Sequence, residues 1–338
     1  MGIGRVDRFQ RRHSVIGLPI AIVYKFFDDQ GNLLAAMITY YAFVAIFPLL
    51  LLASSIFGFV LQGRPELEAS ALSSALSQFP ISGDQLGRPE GLTGSLAAVV
   101  VGSLAAIYGA LGLGQAIQHV MNTAWGVPRN SRLNPLSMRV RSLLLLLFAG
   151  LSVLGLSVFS ALGSSTEVFG PRVDATLRFL IAVATVVAVT AVLTFLFRLA
   201  AAGSHSWARA VPGALVTALG WQGLQFGGAA YAKHVLAETT SLNQTFGLVL
   251  GLIGLIFVAA IVAVLGIEVN VVLARRLWPR ALLAPFTDAV DLTDADRRAY
   301  AMYAQTQRHK GFETVTVRFE GRDGDTVEIA QLPKDPPD

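Results

Sequence analysis

Six long apolar stretches, almost free of charged residues, dominate the pattern of hydrophobic and polar positions along the chain. A helix needs about 20 apolar residues to cross a bilayer core about 30 Å thick. Each stretch has about that length, so the sequence predicts an all-α integral membrane protein with six transmembrane helices. The stretches are Leu33–Leu61, Leu92–Ala124, Leu143–Gly163, Phe179–Phe197, Ala210–Tyr231 and Phe246–Ala274.

The segments outside these stretches divide the chain into three parts: an N-terminal arm over residues 1–32, a transmembrane domain over 33–274 and a tail over 275–338. Within the arm, Val15–Phe27 is apolar on most of its length but too short to span a bilayer. It predicts an amphipathic helix at the membrane interface.

The tail has a different composition from the spans. Thr293 is a typical N-cap and predicts a helix that continues to about His309. Two short alternating segments then flank a Gly-rich turn at residues 321–325, which predicts a small β-hairpin.

The distribution of charge sets the predicted orientation. Basic residues concentrate in the N-terminal arm, in the loop from Arg129 to Arg141, in the loop from Arg198 to Arg209 and after Arg275. Cytoplasmic loops carry such an excess of Lys and Arg, so we expect both termini in the cytoplasm. The formal net charge of +4 then reflects membrane topology, and we expect no nucleic-acid partner.

Four polar residues of the second span fall on one helical face. Gln115, Gln118, His119 and Asn122 are spaced i, i+3, i+4 and i+7. Polar side chains are costly in hydrocarbon, so this stripe could line a cavity or a substrate path. The alternative is that its amides hydrogen-bond neighbouring helices and only hold the bundle together.

Glu268 is the one acidic residue inside any predicted span, and Asn270 follows it. By helical rise it lies about 9 Å from the cytoplasmic end of the last span. An ionised carboxylate at that depth needs a partner, for which Arg198, Arg209, Arg275 and His119 are candidates. A structural ion pair near the interface is the alternative interpretation.

Two further polar groups complete the candidate substrate path: Tyr40 and Tyr41 in the first span, and Gln222 and Gln225 in the fifth. With the predicted topology, the tyrosines, Asn122 and the Glu268–Asn270 segment all lie in the cytoplasmic half of the bilayer. We therefore expect an inward-facing polar pocket. Small residues predict close helix packing at two places, Gly109, Gly112 and Gly114 in the second span and Gly247, Gly251 and Gly254 in the sixth.

Four segments of this chain, in order, resemble the virulence factor BrkB family, also called YihY-like and once labelled a ribonuclease. They are AAMITYYAFVAIFPLLLL, GALGLGQAIQHVMNTAWGVPR, PGALVTALGWQ and LGIEVNVVLARR, and the resemblance extends from about Phe26 to Arg276. It implies a six-helix, multi-pass protein of the bacterial cytoplasmic (inner) membrane.

The ribonuclease label does not fit the residues. RNA hydrolysis needs a metal-bound water, or a general acid and base near a phosphate. The five histidines are scattered without the spacing of metal ligands, no acidic cluster accompanies them, and no nucleotide-binding motif occurs. We expect no catalytic residue, no metal and no cofactor, and hence no enzyme.

Two functions remain after this exclusion. The leading hypothesis is a transporter or translocator that moves a lipid, a lipid precursor or a small solute through a cytoplasm-facing polar cavity, with membrane lipids as its partners. The alternative is a non-transporting scaffold of the cell envelope, which would act through protein partners or as a homo-oligomer.

Overall fold

The computed structural model describes residues 3–60, 96–164, 175–201, 206–231, 241–320 and 326–329. Over these residues the chain forms nine α-helices, one short 3₁₀ turn at Arg129–Ser131 and two β-strands. The elements are α1 (Ile3–Arg12), α2 (Ser14–Asp28), α3 (Gly31–Val60), α4 (Leu96–Ala124), α5 (Pro135–Ser164), α6 (Ala175–Ala200), α7 (Trp207–Tyr231), α8 (Ser241–Arg275), α9 (Asp294–Thr306), β1 (Val317–Glu320) and β2 (Thr326–Ile329).

Six of these helices, α3 to α8, coincide with the six apolar stretches and are 25 to 35 residues long. Residues 61 and 92–95, at two ends of those stretches, lie outside the described residues. Among the described residues, three segments meet both the length and the apolarity that a bilayer crossing requires, within α5, α6 and α8. The helical membrane architecture is therefore present, while the count of six crossings stays a prediction.

The long helices form a closed ring. Each packs against the next one along the chain, from α3 to α8, and α8 packs back against α3. Helix α4 also contacts α6 and α8, so it crosses toward the middle of the ring. The short helix α2 docks on α8 and α3, and α1 packs on α2.

The distribution of small and large apolar side chains in the bundle is that of a membrane protein. Its interior is rich in small residues such as Ala35, Ala116 and Ala214, which let the helices approach closely. Large apolar side chains point outward instead, including Leu147 on α5 and Leu219 on α7, each more than half exposed. Such extensive outward apolar surface is not tolerated in water and is suited to lipid contact.

The C-terminal segment confirms two local predictions. Thr293 caps α9 by accepting a hydrogen bond from the backbone N–H of Asp296, and the Asp296 carboxylate accepts one from the backbone N–H of Thr293. Strands β1 and β2 pair antiparallel, with Val317 opposite Ile329. Residues Leu277, Ala299 and Met302 belong to the same hydrophobic cluster as the long helices, so this segment is part of the bundle core.

Candidate functional site: a buried charge cluster

The site begins at the junction between α2 and α3. Lys25 and Asp29 are four residues apart and therefore lie on the same face of the chain as α2 ends. Gln30 then adopts a left-handed backbone conformation, with φ of 56°, and α3 starts at Gly31. The ring of Phe26 lies so close to Gly31 that a Cβ there would fall 2.3 Å from it. This tight turn directs Asp29 inward.

The inward side chains meet Glu268 of α8. Lys25 and Glu268 have fully buried side chains, and that of Asp29 is 1% exposed. The Lys25 ammonium contacts Asp29 Oδ2, and its Nζ lies 3.5 Å from Glu268 Oε2. The same Nζ is 5.2 Å from the centroid of the Tyr303 ring, in cation–π geometry. We call these four side chains the Lys25 cluster.

Burial in the Lys25 cluster favours the uncharged forms of Asp29 and Tyr303. Burial raises the pKa of Asp29 by more than the ion pair with Lys25 lowers it. Burial also raises the pKa of the Tyr303 phenol, and the nearby carboxylates raise it further, so its hydroxyl keeps its proton. With the phenol neutral, the ionisable groups that can carry charge in the cluster are two carboxyl groups and one ammonium.

A second buried network adjoins the first. Arg280, fully buried, donates from Nε to Asp296 Oδ1 at 2.5 Å and from an Nη to Asp28 Oδ2 at 2.9 Å. Its guanidinium lies 5.5 Å from the Tyr300 ring centroid. Burial disfavours the charged guanidinium, but Asp28 and Asp296 outweigh this effect and raise the pKa of Arg280. We call Arg280, Asp28 and Asp296 the Arg280 network.

Hydrogen bonds join the N-terminal helices to the segment after α8. Gln10 donates to the backbone oxygen of Arg280 at 2.6 Å, and Tyr24 donates to that of Leu282 at 2.8 Å. Asp7 accepts from the backbone N–H of Leu282 at 3.0 Å. These bonds hold α1 and α2 against residues 280–282, directly beside the Arg280 network.

Helix α9 covers this end of the bundle. Tyr303 and Asp296 face the two charge networks, and Met302 packs so closely on Gly126, just after α4, that a Cβ there would lie 2.4 Å from its Cγ. Arg298 donates to the backbone oxygen of Arg276 at 2.7 Å. Lys25, Asp29 and Glu268 are thereby closed beneath α9.

The four residues of the predicted stripe on α4 have different surroundings. The Gln118 amide donates to Ser142 Oγ at 2.9 Å and to the Met138 backbone oxygen at 3.0 Å, both on α5. Asn122 is 3% exposed, and its Oδ1 has no hydrogen-bond partner among the described residues. Gln115 is half-buried and His119 exposed. Gln118 thus matches the helix-bonding alternative.

Asn270 bonds two helices together. Its Oδ1 accepts from the backbone N–H of Gly213 at 2.7 Å, and its Nδ2 donates to the Ala210 oxygen at 3.2 Å. At this crossing α7 and α8 nearly touch, because a Cβ on Gly213 would lie 1.8 Å from the backbone oxygen of Gly266. The close approach is at Gly266, whereas a Cβ on Gly254 would meet no atom within 4 Å.

The tyrosines and the glutamines of α7 lie apart from the Lys25 cluster. Tyr40 is 56% exposed, and Tyr41 packs over Gly112, where a Cβ would lie 2.1 Å from the ring. Gln222 and Gln225 are half-buried. Of the ten predicted path residues, only Glu268 belongs to the Lys25 cluster.

The ion-pair partner of Glu268 is Lys25, which is not one of the four predicted candidates. In the sequence analysis Lys25 is one of the basic residues of the N-terminal arm that set the predicted orientation, and Asp29 is not among the candidate site residues. The available signal was their i, i+4 spacing, which favours an intrahelical ion pair. Within the described ranges, no three His, Asp or Glu side chains are placed to hold a metal ion.

The lipid-facing apolar helices, the small-residue interior and the charge buried at one end define a helical, membrane-embedded protein. The family model for virulence factor BrkB matches residues 22–287, more than half of the chain. The chain belongs to the virulence factor BrkB family. A search of curated proteins and a search of solved structures each gave no match.

Proposed function

We propose that this protein is a non-enzymatic translocator of the bacterial inner membrane, which moves a lipid, a lipid precursor or a small solute. In the proposed topology α3 to α8 all cross the bilayer and both termini face the cytoplasm. The Lys25 cluster and α9 then lie at the cytoplasmic end. Membrane lipids are the proposed partners, and no nucleic acid is involved.

The observation that carries this proposal is that three ionisable groups meet in the interior of a bundle whose core consists mainly of apolar and small residues. Lys25, Asp29 and Glu268 are at most 1% exposed at the side chain. Removing charges from water is costly, and within membrane proteins such groups mark ion, proton or substrate pathways. A cluster shared between α2 and α8 can respond when these helices move.

A scaffold remains the second candidate because several polar side chains hold helices together. Gln118 bonds α4 to α5, and Asn270 bonds α7 to α8. The N-terminal helices are also fixed to the segment after α8. A rigid bundle of this kind would serve to present its loops to envelope partners.

The deciding experiment uses the full-length protein, purified and reconstituted in liposomes. Scrambling of a fluorescent phospholipid and uptake of small solutes are compared with protein-free liposomes. We expect transport of at least one probe. Transport of none, by protein that is shown to be folded, would support the scaffold.

The matched variants are Glu268→Gln and Asp294→Asn. The first removes the buried acid with little change in shape, and the second removes an acid whose side chain is 84% exposed. We expect Glu268→Gln to abolish transport and Asp294→Asn to leave it unchanged, with equal thermal stability as the folding check. Unchanged transport by Glu268→Gln would remove Glu268 from the mechanism.

A further inference from the structure

We propose that the Lys25 cluster is a binding site for one exchangeable proton, held by Glu268. The proposal rests on the translocator function in one respect only: it names the proton as the ion that would drive transport. The site itself is argued from geometry and charge.

The first step is charge balance. If Lys25, Asp29 and Glu268 were all ionised, a fully buried site would carry one uncompensated negative charge. An unpaired charge in a low-dielectric interior costs several kcal/mol even after relaxation, and a buried carboxyl group takes up a proton instead. One bound proton makes the site neutral.

The second step places that proton. The Lys25 ammonium contacts Asp29 more closely than Glu268, which makes Asp29 its counter-ion. Neither Glu268 side-chain oxygen has a hydrogen-bond partner among the described residues, and the same is true of Asp29 Oδ1. The two carboxyl groups share one ammonium, which contacts Asp29 and lies 3.5 Å from Glu268. A proton on Glu268 therefore leaves Asp29 as the one carboxylate paired with Lys25, and it makes the Glu268 carboxyl group neutral.

The third step accounts for the other charged and titratable groups that face the site. From α9, Tyr303 contributes a ring over Lys25 and a neutral hydroxyl. From the end of α2 and the segment after α8, the charges of Asp28 and Arg280 act on Tyr303. Arg280 is already paired with both Asp28 and Asp296, so it does not supply the missing positive charge.

Release of the proton changes the contacts of Lys25. The O–H bond of Glu268 breaks, the proton passes to water, and a carboxylate remains. Two carboxylates then compete for one ammonium, which belongs to α2, while Glu268 belongs to α8. Uptake of a proton reverses the step. Proton exchange therefore alters the docking of α2 on α8.

Infrared difference spectroscopy of the full-length protein in liposomes tests the site directly. A protonated carboxylic acid has a C=O band distinct from that of a carboxylate. We expect one such buried-acid band, which disappears on titration to alkaline pH, is absent in Glu268→Gln and persists in Asp294→Asn. If Glu268→Gln does not fold, Glu268→Asp should shift both the band and its titration midpoint. A wild-type protein without a titrating buried-acid band would overturn the proposal.

A transport measurement under a pH gradient distinguishes failure of the proton site from failure of the translocator function. With one proton per cycle in an electroneutral exchange, a gradient of one pH unit supports about tenfold accumulation, since one unit is about 1.4 kcal/mol. Transport that ignores the pH gradient refutes proton coupling but retains the translocator. A titrating Glu268 band without transport of any probe supports the proton site and refutes the translocator.

Discussion

Removal of Arg280 is the sharpest perturbation of this structure, because this one fully buried side chain pairs with two carboxylates. Arg280→Met keeps most of the side-chain volume and removes the charge. Asp296 is itself fully buried, and Arg280 is the cation that pairs with it at 2.5 Å. Asp28 is 20% exposed and regains some hydration when the pair is lost. The uncompensated charge is thus concentrated on Asp296, near the start of α9.

The expected magnitude follows from that single buried charge. Breaking a buried ion pair by removing one partner costs about 3–5 kcal/mol. We expect this loss to appear as easier opening of α9, since Asp296 holds it to the bundle. A loss of about 3 kcal/mol raises the population of the open state roughly 150-fold.

Amide hydrogen exchange of α9 measures that opening locally. The informative amides belong to the buried residues Ala299 and Met302. In Arg280→Met they should exchange roughly 150-fold faster than in the wild type. The control is Arg297→Met. Its pair with Asp294 is long, at 3.5 Å, and the Asp294 side chain is 84% exposed, so the effect should stay within about 0.5 kcal/mol.

A double variant tests the cause of the effect. Arg280→Met with Asp296→Asn removes the unpaired charge while the amide oxygen can still serve the cap at Thr293. It should therefore be less destabilised than Arg280→Met alone. Equal exchange rates in the single and double variants would refute the reasoning from buried charge, as would an unchanged rate in Arg280→Met.

Two further predictions concern pH and helix packing. The pKa of Asp29 is raised, so the folded state binds more protons than the unfolded chain above about pH 4, and its contribution to stability falls as pH rises through that window. Asp29→Asn should remove this loss from the thermal unfolding midpoint measured against pH. For Asp7, hydrogen bonds outweigh burial and lower the pKa, so its contribution is present above about pH 4 and disappears on acidification; an Asp7→Asn variant with unchanged acid sensitivity would contradict this. Gly213→Ala should cost about 1–3 kcal/mol because its Cβ would overlap the oxygen of Gly266. Gly150→Ala, which meets no atom within 4 Å, should not destabilise the protein in the same thermal assay.

The positions of the long helices could be predicted because each depends on local composition. A run of apolar residues has one stable arrangement in a bilayer, a helix with its backbone bonds satisfied internally. The N-cap at Thr293 and the pairing of β1 with β2 are equally local, since each depends on residues a few positions apart. These features were correctly placed from the sequence.

The partners of the buried charges could not be predicted in the same way. Lys25 and Glu268 are brought together by the docking of α2 on α8, and Arg280 reaches Asp28 through the same docking. No local pattern specifies such a contact. The crossing of α7 and α8 is similar, since a spacing of small residues does not tell whether Gly254 or Gly266 meets the neighbouring helix.

Asn270 and Glu268 of α8 are both buried, but they differ in whether their polar atoms have hydrogen-bond partners. This difference distinguishes a structural role from a functional one. Asn270 uses both its amide oxygen and its amide nitrogen on α7, so its polarity is fully accounted for by packing. Glu268 is equally buried, yet neither oxygen is hydrogen-bonded among the described residues, and its cation contacts Asp29 more closely. A buried group with incomplete partners destabilises the fold unless it changes its protonation state. Packing therefore explains Asn270, whereas Glu268 is explained by a proton that it can take up and release.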